Sequence, residues 1–200
     1  QVSLSGSLIE NLNNLESGGI GFNNWKSSWN YITGQKTSLD NPRIDLVAFG
    51  YHHPLMGLIE YSDIRKQIQY HKQIFSTSFP SYSYSKGIFP PENAFSERMI
   101  PALVDEGLEW VFVDNIHFDR TAEGCPVGDQ TGMLRPNKAD ILMPDPQDWL
   151  QLNGVWAPIA ISTQWAHQPH YIQYVDPNTG EIDKMIAVPT SRYLGNEDGR

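Results

Sequence analysis

IDLVAFG, residues 44–50, is a short apolar run bounded by Asn41-Pro42-Arg43 before it and Tyr51-His52-His53-Pro54 after it. An unbroken run of this length suits a strand buried on both faces, and such strands belong to parallel α/β sheets. Downstream, Ser62-Asp63 opens a helix in which Ile64, Ile68, Tyr70, His71 and Ile74 recur at three- and four-residue steps to about Phe75. Asp63 stands where a negative charge offsets the positive N-terminal end of that helix. Gly87 to Phe89 reads as a short strand, and Ser96 caps a helix through Met99, Ile100, Leu103 and Val104 that Gly107 closes. Trp110-Val111-Phe112-Val113-Asp114 is the next buried strand. Strand, helix, strand, helix, strand in this order predicts right-handed βαβ units and a parallel sheet.

Working outward, Gln1 to Ser5 alternates like a strand, and Ser7 to Leu15 carries Leu8, Ile9, Leu12 and Leu15 at helical spacing until Ser17-Gly18-Gly19-Ile20-Gly21 ends it. A patterned region with Trp25, Trp29, Tyr31 and Ile32 runs to Gly34. Residues 119–148 scatter Gly, Pro, Asp and Asn with little periodicity and read as a long irregular loop. Residues 149–193 turn strand-like, with Asp176-Pro177-Asn178-Thr179-Gly180 as a strong hairpin turn, which predicts an antiparallel insertion in the C-terminal third. Residues 1–200 are expected to form a single domain. The start at Gln1 without an initiator Met, and the stop in a polar turn at Gly199-Arg200, suggest a segment of a longer or processed chain.

The formal charge of −9 leaves no basic face to neutralise phosphates, so neither nucleic acid nor an anionic membrane surface is an expected partner. A neutral substrate fits better. Cys125, the single cysteine, sits in a turn-rich stretch without a local signature; it supports no disulfide and no cysteine-based zinc framework. No apolar run approaches the roughly 18 residues needed to span a bilayer. The chain reads as soluble, cytoplasmic or secreted, with no compartment written in it.

In parallel α/β sheets, ligands collect at the carboxyl ends of strands. Three such ends are polar in a coherent way: IDLVAFG leads into Tyr51-His52-His53-Pro54, GIFPP into Glu92-Asn93, and WVFV into Asp114-Asn115-Ile116-His117. Taken alone, Glu92 has a bland explanation as the charge at the start of the following helix. That role accounts for neither the Gly-Ile-Phe-Pro-Pro before it nor the ionisable groups at the two neighbouring strand ends. His71 lies mid-helix and reads as structural.

RIDLVAFGYHHPLMGLI, then DIRKQIQYHKQIF, then SKGIFPPENAFSERMIPALVDEGLEWVFVDNIH resembles the central part of family 57 glycoside hydrolases, which act on α-glucans. The resemblance covers residues 43–118, the βαβ core. It implies a partial or complete (β/α)7-type barrel, with Glu92 in a Gly-aromatic-x-Pro-Glu type motif as catalytic nucleophile. His52 and His53 become substrate-contacting residues, with Asp114 and His117 near the reacting sugar. No cofactor is implied. A retaining mechanism also needs a second carboxyl group about 5–5.5 Å away to act as acid and then base. Asp198, in Gly195-Asn196-Glu197-Asp198-Gly199, is the late candidate; the alternative is a carboxylate from outside this chain, on a complementary chain or the remainder of the same protein. Trp156 and Trp165 are candidate linings of glucan subsites, with core packing as the competing role.

One departure from the family pattern stands out. Residues 1–42 contain no His, whereas the family carries a His-Gln-Pro motif on its first strand; His167-Gln168-Pro169 has those letters in the antiparallel region and reads as coincidence. Two other function classes remain open. Asp and His at strand ends also serve metal-dependent carbohydrate esterases and mannosidases, and His53, Asp114 and His117, with His167 and His170 outside them, are the residues such a site would use, although their spacing is not tight. The other class is a non-catalytic carbohydrate-binding or assembly subunit.

Overall fold

The structure, a computed structural model, describes residues 2–115, 117–118 and 164–191. The chain divides into two compact units, Gln1–Phe112 with Tyr171–Ala187 and Val113–His170 with Val188–Arg200. The architecture is mixed α/β with parallel and antiparallel strands, and the described residues do not close into a barrel.

Strand β1 (Val2–Ser3) lies parallel to β2 (Leu46–Val47), in register Val2 to Leu46. Strand β3 (Gly87–Ile88) lies parallel to β4 (Trp110–Asp114), in register Gly87 to Trp110. A parallel bridge between Ala48 and Ile88 connects the two pairs, with Ala48 N–H donating to Gly87 O at 2.9 Å and Phe89 N–H to Ala48 O at 3.0 Å. The expected seven-residue strand at 44–50 therefore forms a ladder only at its centre. It changes partner halfway, from β1 at Leu46–Val47 to β3 at Ala48, so neither pairing is long. The start of this run is fastened by side chains instead: Tyr82 O–H donates to the Asp45 carboxylate at 2.8 Å and accepts from Leu46 N–H at 3.1 Å.

The helices complete the βαβ units. Helix α1 (Gly6–Ser17) begins at Ser5, whose hydroxyl accepts from Leu8 N–H, and ends in Gly18 and the left-handed Gly19. Helix α2 (Trp25–Thr33) presents Trp25 and Trp29 to the core. Helix α3 (Tyr61–Ser78) runs a turn longer than the pattern predicts and buries Ile64, Ile68, His71, Phe75 and Ser78, one stripe at three- and four-residue steps. The expected helix after Ser96 is split: a 3₁₀ turn at Glu97–Met99 feeds α4 (Ile100–Asp105), because Pro101 lacks an N–H and is accommodated only in a first turn. Gly107 then closes α4 at φ +73°, donating to Val104 O while Leu108 N–H returns to Leu103 O. Strands taken in consecutive order with right-handed crossovers carry their helices on one face. Accordingly α1 packs on α3 and α3 on α4, and Ile9, Leu46, Phe75 and Phe79 form a core between helices and sheet.

Strands β5 (His170–Val175) and β6 (Ile182–Thr190) extend the sheet in the order β3-β4-β6-β5. Their hairpin turn is built by Asp176, whose carboxylate accepts from Asn178 and Thr179 N–H at 2.7 and 3.0 Å. Those backbone donors hold the Asp176 carboxyl below its usual range.

Two polar side chains, one half-buried and one buried, tie the helices down. Glu106, its side chain 7% exposed, receives Arg65 Nε at 2.8 Å, Gln69 Nε2 at 2.7 Å and Lys72 Nζ at 3.2 Å, all from one face of α3. Burial raises its pKa, but the hydrogen bonds from Arg65, Gln69 and Lys72 together outweigh this and hold the carboxyl below its ordinary value. His71 Nε2 lies 2.7 Å from Leu4 O and its Nδ1 2.7 Å from Tyr84 Oη. A carbonyl only accepts, so Nε2 carries the proton and Nδ1 accepts from Tyr84: a neutral, structural imidazole. Burial lowers its pKa to about 4, the Leu4 hydrogen bond opposing that only in part.

An unfolded chain protonates His71 near pH 6.5 while the folded one resists to about pH 4, so its contribution is complete above pH 6.5 and disappears as pH falls toward 4. Urea unfolding between pH 7 and 4 should show about 3 kcal/mol of stability lost through this group, and His71→Gln should flatten that part of the profile. At Gly87, a Cβ would lie 1.9 Å from the Trp110 ring facing it in register. Gly87→Ala should therefore cost about 1–3 kcal/mol, and Trp110→Leu in the same chain should recover most of it in thermal melts.

Candidate functional site

Two prolines fix the approach to Glu92. Pro90 is extended, at φ −64° and ψ 136°, and Pro91 begins a single 3₁₀ turn closed by Asn93 N–H to Pro90 O at 2.9 Å and Ala94 N–H to Pro91 O at 3.1 Å. Within that turn Glu92 and Asn93 both adopt left-handed backbone, at φ 58° and 54°. Asn tolerates this region, but for Glu it costs roughly 1–2 kcal/mol. Glu92 is thus no ordinary first-turn residue, and its carboxylate is turned toward the end of β2.

There it meets His53, Nε2 to Oε1 2.8 Å. Both side chains are more than half exposed, at 53% and 69%. An exposed pair of this kind contributes about 0–1 kcal/mol, less than the strain at Glu92. The contact does not explain the geometry as a device for stability, and strained residues over-determined by their surroundings concentrate at working sites.

The floor under this pair follows from the strand register. One step beyond the Ala48–Ile88 bridge, Phe49 and Phe89 are stacked, with centroids 6.2 Å apart and planes at 11°; Phe112 follows Phe89 at 6.0 Å. The His53 ring leans on Phe49 at 5.3 Å. Sequence reasoning missed Phe49 and Phe89, although the signal was present: each is the last aromatic of its apolar run.

His52 engages different neighbours from His53. Its N–H donates to Gln67 Oε1 at 2.8 Å, its ring meets Tyr51 edge-on at 4.9 Å, and it lines a cleft between α1 and α3. Asp114 closes β4 and is buried, as is Asn115, while His117 is exposed. The Trp165 backbone lies in a short 3₁₀ turn, Gln164–His167, and Trp156 and Asp198 fall outside the described residues. The ring of His170, at the start of β5, lies tilted against Phe118, with centroids 5.1 Å apart. Among the described residues no group of three or more His, Cys, Asp or Glu converges in a way that holds a metal ion. No helix of the described residues is long and apolar enough to cross a membrane.

Comparison with known proteins gives the family. The model of glycosyl hydrolase family 57 matches residues 1–141. An α-amylase of Niallia circulans is 32% identical over 99% of this chain, which spans 16% of that protein. The crystal structure of 4-α-glucanotransferase from Thermococcus litoralis superposes with a TM-score of 0.57 at 15% identity, covering 97% of this chain and 22% of that one; at such identity the likeness is one of fold. Both relatives are several times longer than this chain. Since the family match runs through β1 to β4 and takes in His53, Glu92 and Asp114, the chain belongs to glycosyl hydrolase family 57.

Proposed function

We propose that this chain carries part of the active site of an enzyme that cleaves or transfers α-linked glucans with retention, and that Glu92 is its nucleophile. The observation that carries the reading is the strained Glu92 backbone presenting a carboxylate to His53 at neighbouring parallel strand ends. The names of the two relatives, an α-amylase and a 4-α-glucanotransferase, supply the substrate class. The consecutive order of β1 to β4 is that of barrel staves, and we read the whole as part of a (β/α)7-type barrel.

In the first step the Glu92 carboxylate attacks the anomeric carbon while the bond to the leaving sugar oxygen breaks, that oxygen taking a proton from an acid. The product is a glycosyl ester on Glu92. In the second step water or a sugar hydroxyl attacks the same carbon, gives its proton to the base just formed, and releases the carboxylate. His53 Nε2–H, donating to Oε1, orients the carboxylate and leaves its other oxygen for the attack. Asp198 is our candidate for the acid/base, and the mechanism requires its carboxyl about 5–5.5 Å from Glu92. Asp114 and His117, after the next strand, and His52, Trp156 and Trp165 are proposed to contact the glucan.

Glu92→Gln should lower α-glucan turnover by about 10⁴-fold or more with thermal stability and oligosaccharide affinity nearly unchanged, and the unaltered enzyme should release products of retained anomeric configuration by NMR. Undiminished turnover in the variant would remove Glu92 from the mechanism. Glu92→Gly, by contrast, relieves the left-handed strain: after the entropy cost of glycine the variant should be inactive yet more stable, by about 0.5–1 kcal/mol in denaturant titrations.

A further inference from the structure

The α1–α3 side of the molecule holds a cleft of about 480 Å³, within the roughly 300–1,000 Å³ usual for small-ligand sites. Neither Glu92 nor His53 lines it. Its aromatic surface comes from Tyr51 and Tyr70, whose rings meet edge-on at 5.9 Å, with His52 against Tyr51 on the other side. Tyr70 is 54% exposed, so ring surface remains open to solvent. Its polar lining is Glu10 from α1 with Gln73 and Thr77 from α3, and half-buried Ile74 completes the stripe at three- and four-residue steps from Tyr70.

The chemistry of this lining selects its ligand. Among the described residues no Lys or Arg contributes, and Glu10 brings a carboxylate, so phosphates and other anions are disfavoured. Tyr51 O–H donates to Glu10 Oε2 at 2.8 Å, which fixes the carboxylate and leaves its other oxygen as an acceptor. An amide, a hydroxyl and a carboxylate around exposed tyrosine surface match a neutral polyhydroxylated ring: apolar C–H faces pack on the aromatic and hydroxyls meet the polar groups. The divergence of His52 from His53 puts this lining and the Glu92 site on consecutive residues of one loop.

From this we infer that the cleft formed by Glu10, Tyr51, Tyr70, Gln73 and Thr77 is a second, non-catalytic carbohydrate site that binds a short stretch of neutral glucan. The choice of an α-glucan as ligand rests on the proposed function; the existence of a sugar site does not. In the reaction it would hold a long glucan to the enzyme while another part of the polymer, or another chain, is cleaved at Glu92.

The test uses the intact protein, maltoheptaose and cello-oligosaccharide as probes by NMR titration and calorimetry, and two surface variants, Tyr70→Ala and the double variant Gln73→Ala/Thr77→Ala. Measured in the Glu92→Gln background, so that no substrate is consumed, each should weaken a distinct maltoheptaose binding event at least fivefold. With Glu92 intact, retention on amylose should fall in the same variants while kcat on a short soluble maltoside is unchanged. Unaltered binding in both variants, with folding confirmed by circular dichroism, overturns the proposal, as does equal loss of turnover on the short maltoside. If the unaltered enzyme cleaves no α-glucan, the functional reading has failed, yet a binding event for either oligosaccharide that Tyr70→Ala abolishes still upholds a sugar site.

Discussion

The candidate site depends on one bridge, Ala48 to Ile88. Two hydrogen bonds, at 2.9 and 3.0 Å, set β2 against β3. Because side chains alternate along a strand, a slip of β2 by one residue against β3 would exchange the two faces of β2 and part Phe49 from Phe89. The bridge is short, so its register must be secured from elsewhere. Gly87 supplies part of that security, because only a residue without a side chain lets the Trp110 ring lie over the strand at that level. The Asp45–Tyr82 hydrogen bond supplies another part by fixing where β2 begins.

From that alignment the site follows in order. Aligned strands bring the stacked phenylalanines together, Phe49 supports the His53 ring, and the prolines after β3 swing Glu92 toward it. Helices behind the sheet hold the strands in place through groups that have left water. Glu106 is gripped by three side chains of α3, and His71 links α3 to Leu4 and Tyr84. Glu106 and His71 thus lie hydrogen-bonded on the helix side, whereas the strand ends carry both the exposed Glu92–His53 pair and the buried Asp114.

Much of this was legible in the sequence. The runs at 44–50, 87–89 and 110–114 declared themselves as strands because buried parallel strands are apolar on both faces, and the stripe from Ile64 to Phe75 declared α3 by its period. The turn at Asp176 to Gly180 was equally plain, since each residue there performs a local task that composition reveals. Three things were not legible. Pairing partners along 44–50 depend on distant strands, so a seven-residue run gave no hint that its ladder is shared between two neighbours. The left-handed backbone at Glu92 is imposed by surroundings against the residue's own preference, which propensity by definition misses. And His52 and His53, adjacent in sequence, were grouped because adjacency suggests a common target, whereas neighbouring side chains in non-helical backbone tend to diverge.

Pro90 and Pro91 do more than shape the turn. Neither has an N–H, so neither of the two residues before Glu92 can donate a backbone hydrogen bond. A carboxylate surrounded by amide donors has its lone pairs engaged and is a poor nucleophile. The preceding peptide units therefore add no such donor, and among the described residues the hydrogen bond to the Glu92 carboxylate comes from the His53 ring.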